Sequence, residues 1–152
     1  MKLKLFLIAF SVLLLTTFLL SFIGNLVAGN DTFVINTMDG KSLIIIFLTI
    51  VVIVPIIETF IFQFVIIEIC YLIKLKHKNN IAILISALSF GTTHFYNFIY
   101  FMSAVIIGVG FAYYYTLFRK YGLKFSFFGI IIIHIMINFI SFLMNYVFEI
   151  EI

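Results

Sequence analysis

The sequence predicts an all-α fold, a polytopic bundle of transmembrane helices, and three observations support this prediction. Of the 152 residues, 65% are hydrophobic and only 10% are charged, whereas soluble domains carry about 25% charged residues. The mean hydropathy is +1.32. The apolar residues fall into long runs that short polar stretches separate. We therefore expect an integral membrane protein with one transmembrane domain over residues 1–152 and no separate soluble domain.

Five apolar stretches predict the helices in chain order. A spanning helix needs about 20 apolar residues, because the hydrocarbon core of a bilayer is roughly 30 Å thick. We interpret the first stretch as a retained helix, because its apolar run is long for the core of a cleaved signal peptide. The predicted spans are residues 5–28, 42–73, 80–96, 98–118 and 125–148.

The second stretch is longer than one crossing requires. As a helix, residues 42–73 would extend about 48 Å. Pro55 has no N–H and clashes with the carbonyl four residues earlier, so we expect a kink at this position. Two separate helices would move the basic residues of 74–78 to the side opposite the other basic loops. One kinked helix is therefore favoured.

The distribution of charge predicts the orientation in the membrane. Five spans place eight of the nine basic residues on one side and only Lys41 on the other. Because loops rich in Lys and Arg stay in the cytoplasm, we expect the N-terminus inside and the C-terminus outside. The net charge of +3 then reflects topology, and the expected partners are the lipid bilayer and a membrane-associated protein or peptide, not nucleic acid.

Glu58 is the residue that most strongly indicates a functional site. A charged side chain at the centre of a membrane helix costs roughly 2.5–3.5 kcal/mol on insertion scales, and such residues are usually functional. The rise of each helix places His94 and His134 at a similar depth. Asn138 follows His134 by one turn and shares its face, as His94 does with Phe90.

Together these groups predict hydrolysis of an amide bond. Glu58 would accept a proton from water as the general base, and a histidine would orient the water or donate to the leaving group. His134 and Asn138 would hold the developing oxyanion. Thr59 points about 100° away from Glu58 around the helix, so the two are not required to share a partner.

The other polar residues in the spans are expected to be structural. Small hydroxylated and amide side chains often form hydrogen bonds between membrane helices. Glu68 lies nearer the cytoplasmic end, where it would extend to the surface or pair with Lys74 or Lys76. The residues expected to form interhelical hydrogen bonds are Thr59, Gln63, Ser86, Ser89, Thr92, Thr93 and Asn145.

Over residues 42–145 the chain resembles the CAAX-prenyl-protease and bacteriocin-processing (CPBP, or Abi) family of intramembrane proteases. Three motifs carry the resemblance, in the family's order. The family motif Glu-Glu-x-x-x-Arg is similar to Glu58-Thr59-Phe60-Ile61-Phe62-Gln63. The motif Phe-x-x-x-His is similar to Phe90-Gly91-Thr92-Thr93-His94. The motif His-x-x-x-Asn is similar to His134-Ile135-Met136-Ile137-Asn138.

The sequence departs from the first motif at two positions. Thr59 stands where the family has its second glutamate, and Gln63 stands where it has arginine. Replacing both members of a buried ion pair by neutral residues leaves no unpaired charge. We therefore interpret Thr59, Gln63 and Phe90 as supporting residues, and Glu58 as the retained base.

The resemblance implies an intramembrane endopeptidase, and we expect it in a bacterial cell membrane. Both metal-dependent and metal-free mechanisms have been described for the family. Glu58, His94 and His134 would be the ligands if zinc were bound. We favour the metal-free glutamate mechanism, without a cofactor, because the sequence lacks an HExxH-type chelate.

Two other functions remain open from the sequence. One is a catalytically inactive relative, an immunity or scaffold protein that binds a peptide within the membrane, which Thr59, Gln63 and the short chain favour. The other is a proton- or ion-coupled carrier in which Glu58 and His94 form a relay. Inverted repeats would support a carrier, and the sequence shows none.

Overall fold

The computed structural model describes residues 1–29, 40–73 and 77–148. Within these ranges the regular structure is helical and contains no strand, which confirms the all-α prediction. Four acidic residues that the orientation predicted from the sequence would place outside (Asp31, Asp39, Glu149 and Glu151) lie outside the described residues, as do Lys74 and Lys76. The helices are α1 (Lys2–Ala28), α2 (Leu43–Leu72), α3 (Lys78–Thr92), α4 (Phe98–Arg119) and α5 (Leu123–Val147).

Four of these helices, α1, α2, α4 and α5, are long and apolar enough to cross a membrane. The third has 15 residues, about 22 Å of helix, and is shorter than a usual span. The prediction of a helix over 80–96 was therefore too long, and five crossings stay a prediction. The reason is local: the Thr92 and Thr93 hydroxyls donate to the carbonyls of Ser89 and Phe90, a side-chain pattern that competes with helical hydrogen bonds.

The second helix is continuous through Pro55, as predicted, but its hydrogen-bond register changes there. Two π-helical segments, Phe47–Ile53 and Thr59–Val65, flank a short α-helical stretch, Val54–Glu58. π-Helical turns inside longer helices are often found at functional sites. Glu58 lies at the end of the α-helical stretch, where the register changes a second time.

Close approach of α3 and α4 brings the core together. A Cβ on Gly108 would lie 3.1 Å from the Cα of Ala87, so only glycine fits this crossing comfortably. Small residues at such contacts are typical of membrane bundles. The first helix packs on the outside of α4 and α5, with the rings of Phe6 and Phe118 6.5 Å apart.

Aromatic contacts show which helix ends lie together. The Lys2 ammonium lies 6.0 Å from the centroid of the Tyr121 ring and 5.6 Å from that of Phe125, and Lys78 lies 5.4 Å from the Tyr71 ring. The start of α1, the end of α2 and the α4–α5 connection therefore form one end of the bundle. The described basic residues at this end are Lys2, Lys4, Lys78, Arg119, Lys120 and Lys124.

Candidate active site

The structure brings Glu58, His94 and His134 together, as the helix depths predicted. One carboxylate oxygen of Glu58, Oε1, lies 3.4 Å from His94 Nε2, and the other, Oε2, lies 3.7 Å from His134 Nε2. The Glu58 side chain is only 14% exposed. Both distances exceed those of a good N–H···O hydrogen bond, so neither imidazole holds the carboxylate tightly.

The tautomer of His94 follows from its backbone contact. Its Nδ1 lies 3.0 Å from the Phe90 carbonyl oxygen. A carbonyl oxygen only accepts, so Nδ1 carries the hydrogen and donates it. A neutral His94 therefore presents the lone pair of Nε2 to Glu58. One shared proton between Glu58 and His94 makes their contact favourable, since two lone pairs facing each other would repel.

Aromatic rings fix the plane of His94. It lies in the turn after α3, with its ring centroid 4.5 Å from that of Phe90. Tyr100, near the start of α4, stacks on it at 5.9 Å and 11°. The Asn97 side chain accepts a hydrogen bond from the Tyr100 backbone N–H and caps α4 at this point. Phe90 thus packs directly on His94, and its supporting role stays a prediction.

His134 is almost fully buried on α5 and contacts α2 twice. Its Nδ1 lies 3.3 Å from the Thr59 hydroxyl, so Nε2 on the opposite side of the ring is directed towards Glu58. Glu58 and Thr59 therefore share His134 as a partner. The ring also packs on Phe111, with centroids 4.5 Å apart.

Asn138 takes part in a different contact from the one expected. Its side-chain amide donates a hydrogen bond to the Ile50 carbonyl on α2, at 2.8 Å. This contact commits one of the two amide N–H groups to the backbone, and the predicted role of His134 and Asn138 in holding an oxyanion stays a prediction.

Gln63 is buried without a hydrogen-bond partner among the described residues, as is the Ser86 hydroxyl. The predicted interhelical hydrogen bonds of these two residues are therefore not formed within that part of the chain. Thr59, the other neutral replacement in the first motif, does form one, to His134. Thr59 therefore contributes a hydrogen bond to the site, whereas Gln63 contributes none among the described residues.

Glu68 has a different partner from the one predicted. Arg119 on α4 binds both of its carboxylate oxygens, at 2.8 Å from Nε and 3.0 Å from a terminal guanidinium nitrogen. The Tyr115 hydroxyl donates a third hydrogen bond at 2.9 Å. Its expected structural role is consistent with these contacts, and the predicted partners Lys74 and Lys76 lie outside the described residues.

Sequence reasoning did not single out Tyr100 or Phe111. Tyr100 had an indirect signal, because asparagine three residues earlier is a preferred residue at a helix N-terminus and places the first turn of α4 beside His94. Phe111 had none, since it is one of 21 phenylalanines. Its contact with His134 depends on how α4 and α5 pack.

The arrangement was also tested for a metal site. Within the described ranges, no group of three His, Cys, Asp or Glu side chains is placed to hold a metal ion. Each imidazole Nε2 instead faces a different oxygen of the same carboxylate. As placed in the described part of the chain, the site residues are therefore not arranged as a metal-binding set.

The fold and the site define a class: a helical integral membrane protein with a carboxylate and two imidazoles inside its bundle. The family model described as Type II CAAX prenyl endopeptidase Rce1-like matches residues 40–140, about two thirds of the chain. The chain belongs to this family, which confirms the resemblance inferred from the three motifs. No curated protein and no solved structure matches the chain.

Proposed function

We propose that the protein is an intramembrane endopeptidase in which Glu58 activates water to cleave a membrane-associated protein or peptide. The observation that carries the proposal is the contact of one buried carboxylate with two imidazole nitrogens, at 3.4 and 3.7 Å. Membership of the family supports the reaction class. The residues that supply the chemistry are proposed from the geometry.

In the first step, the Glu58 carboxylate accepts a proton from water as the water oxygen attacks the carbonyl carbon of the scissile amide. The product is a tetrahedral oxyanion. It would accept hydrogen bonds from Nε2–H of His94, when His94 holds the proton that it shares with Glu58, and from Nε2–H of His134. The Thr59 hydroxyl and the Phe90 carbonyl keep both rings in place.

In the second step, the proton on Glu58 passes to the amide nitrogen, the C–N bond breaks, and the amine leaves. The products are a carboxylic acid and an amine, so all atoms of the water are accounted for. His94 is suited to relay this proton, because it contacts Glu58 and its side chain is 18% exposed, against 5% for His134. The more exposed His94 lies towards the side from which we propose that substrate approaches.

We propose that the reaction needs no bound metal. Cleavage in washed membranes is expected to stay within about twofold of the untreated rate after incubation with EDTA or 1,10-phenanthroline. A loss that added zinc restores would contradict this part of the proposal. Either outcome of the chelator experiment leaves the role of Glu58 to be tested separately, because a metal-dependent enzyme would also need this carboxylate, as a base or as a metal ligand.

The orientation proposed from the sequence places the basic end of the bundle in the cytoplasm. Glu58 then lies near the middle of the membrane, because it is close to the midpoint of α2, which runs towards that end from Leu43 to Leu72. A cysteine introduced at Lys120 should react only with inside-accessible reagents, after Cys70 is replaced by serine. The bacterial cell membrane as the location stays a prediction.

The test of the proposed function compares membranes from cells that express the wild type or Glu58→Gln at matched levels. Mapping of protein and peptide termini by mass spectrometry should reveal termini that depend on the glutamate, and they identify the substrate. Glutamine keeps the shape of glutamate but cannot accept the proton from water. Identical terminus profiles, with the variant folded, would contradict the proposal and favour a peptide-binding scaffold or immunity protein.

A further inference from the structure

The π-helical register of α2 before Pro55 removes the donor that the Ile50 carbonyl would otherwise have in its own helix. In the π-helical segment Phe47–Ile53, the N–H of Val54 donates to the Thr49 carbonyl, five residues earlier. In the same register the next carbonyl, that of Ile50, would bond to the nitrogen of residue 55. That residue is proline, which has no N–H.

An unpaired carbonyl in this position is costly. Backbone polar groups within a membrane must find partners inside the protein, because lipid offers none. The Ile50 carbonyl accepts a hydrogen bond from the Asn138 side chain at 2.8 Å. The donor comes from α5, 88 residues away in the sequence, so the pair joins two helices.

We propose that Asn138 is a positioning residue that supplies the hydrogen bond that Pro55 cannot donate and thereby sets the register of the segment carrying Glu58. The fifth helix contacts α2 on both sides of the proline, through Asn138 at Ile50 and through His134 at Thr59. Glu58 precedes the second contact by one residue. The two hydrogen bonds fix the stretch between them against α5, which also carries His134.

This role differs from direct participation in the reaction. A residue that donates to the oxyanion contacts the reacting atoms and is needed whichever residue occupies position 55. A residue that replaces a missing backbone N–H is needed only while position 55 is proline. The dependence of Asn138 on Pro55 therefore separates the two roles.

The experiment is a double-mutant cycle with the wild type, Asn138→Leu, Pro55→Ala and the double variant. Leucine has the same number of side-chain heavy atoms as asparagine, with the same branching, and donates no hydrogen bond. Alanine at position 55 restores an N–H to α2. Unfolding in detergent is followed by reaction of a thiol dye with Cys70, which is buried and is the single cysteine. This readout does not require activity.

With proline at position 55, Asn138→Leu is expected to lower the unfolding midpoint by several degrees. The same substitution should change the midpoint by less than one third as much when position 55 is alanine. Equal shifts in the two backgrounds would overturn the proposal, and so would the absence of a shift in both. If Asn138→Leu does not accumulate in membranes, Asn138→Ser, whose shorter side chain does not span the same distance, is carried through the same cycle.

Activity adds a second readout, which rests on the proposed function. Because Asn138 does not touch substrate in this account, Asn138→Leu should lower kcat at least tenfold with KM within twofold, and Pro55→Ala should recover most of the loss. An undiminished loss of kcat in the alanine background would assign Asn138 to the reaction instead. If the wild type itself cleaves nothing, the proposed function fails, whereas the unfolding cycle still decides the role of Asn138.

Discussion

The second helix carries two glutamates ten residues apart, and their surroundings differ in one decisive respect. Glu68 is bound by the Arg119 guanidinium through two contacts and by the Tyr115 hydroxyl, all at 2.8–3.0 Å. Glu58 faces only imidazoles among the described basic side chains, at 3.4 and 3.7 Å. One carboxylate is neutralised and held, while the other is loosely contacted.

This difference indicates which of the two carboxylates is suited to act as a general base. An arginine side chain keeps its charge at any physiological pH, so Glu68 gains a permanent partner and a fixed geometry. An imidazole nitrogen can both accept and release a proton, so Glu58 can exchange one with its neighbours. Of the two carboxylates, Glu58 is therefore the one whose arrangement leaves an acceptor for a proton.

The largest expected effect, apart from loss of Glu58 itself, comes from His94→Gln. This change removes the nitrogen that faces Glu58 Oε1 and should lower kcat about 100-fold, the usual contribution of a positioned acid–base group. The rate of cleavage of the substrate found by terminus mapping measures it. His77→Gln is the matched control, because His77 is exposed at the basic end of the bundle. A fall in kcat of less than threefold for His94→Gln would contradict the proposal that His94 exchanges a proton with Glu58.

Arg119→Leu tests whether the carboxylate of Glu68 serves stability and not the reaction. It leaves the Glu68 carboxylate without its cation and should lower the free energy of unfolding by about 2 kcal/mol, with kcat little changed in the folded protein. Thiol-dye unfolding reports the stability, and the exposed neighbour Lys120→Leu is the control. Adding Glu68→Leu to the Arg119→Leu variant should recover part of the lost free energy of unfolding. A large fall in kcat at full folding would show that Glu68 also serves the reaction.

Thr59→Val sharpens the picture of how His134 is held. Valine fills nearly the same volume but removes the hydroxyl that contacts Nδ1 at 3.3 Å. One hydrogen bond is worth about 1 kcal/mol, so kcat should fall roughly fivefold, while Thr59→Ser, which keeps the hydroxyl, should stay within about twofold. Equal effects of valine and serine on kcat would contradict the role of the Thr59 hydroxyl in positioning His134.

The smallest effect is expected from Gln63→Leu, and it has the opposite sign. The buried amide of Gln63 has no partner among the described residues. Replacing an unsatisfied polar group by an apolar one of similar size should raise the free energy of unfolding by about 1 kcal/mol. Measured destabilisation would mean that the amide makes a favourable contact in the folded protein.

The helices and the central cluster could be predicted from the sequence. Apolar runs define membrane helices because lipid tolerates few charged groups, and the constant rise of a helix places Glu58, His94 and His134 at one depth. Those two regularities are local and do not depend on how the helices pack. Family membership, inferred from three short motifs, followed from the same residues and was confirmed by the match over 40–140.

Other contacts could not be predicted, because they depend on backbone register or on distant pairing. The bond from Asn138 to Ile50 requires the π-helical register beside Pro55, which helical-wheel reasoning does not supply. Arg119 pairs with Glu68 across 51 residues of sequence, whereas the prediction considered nearby lysines. The early end of α3 results from hydroxyl-to-carbonyl hydrogen bonds at Thr92 and Thr93, a competition that hydropathy does not register.

The central claim is that the loosely contacted carboxylate performs the chemistry and the neutralised one does not. The most direct test measures the cleavage rate of Glu58→Gln and Glu68→Gln with the same substrate, at equal amounts of folded protein. The account predicts a loss of at least about 1,000-fold for Glu58→Gln, because the general base is gone, and a rate within threefold of the wild type for Glu68→Gln. A Glu58→Gln protein that cleaves as fast as Glu68→Gln would contradict it.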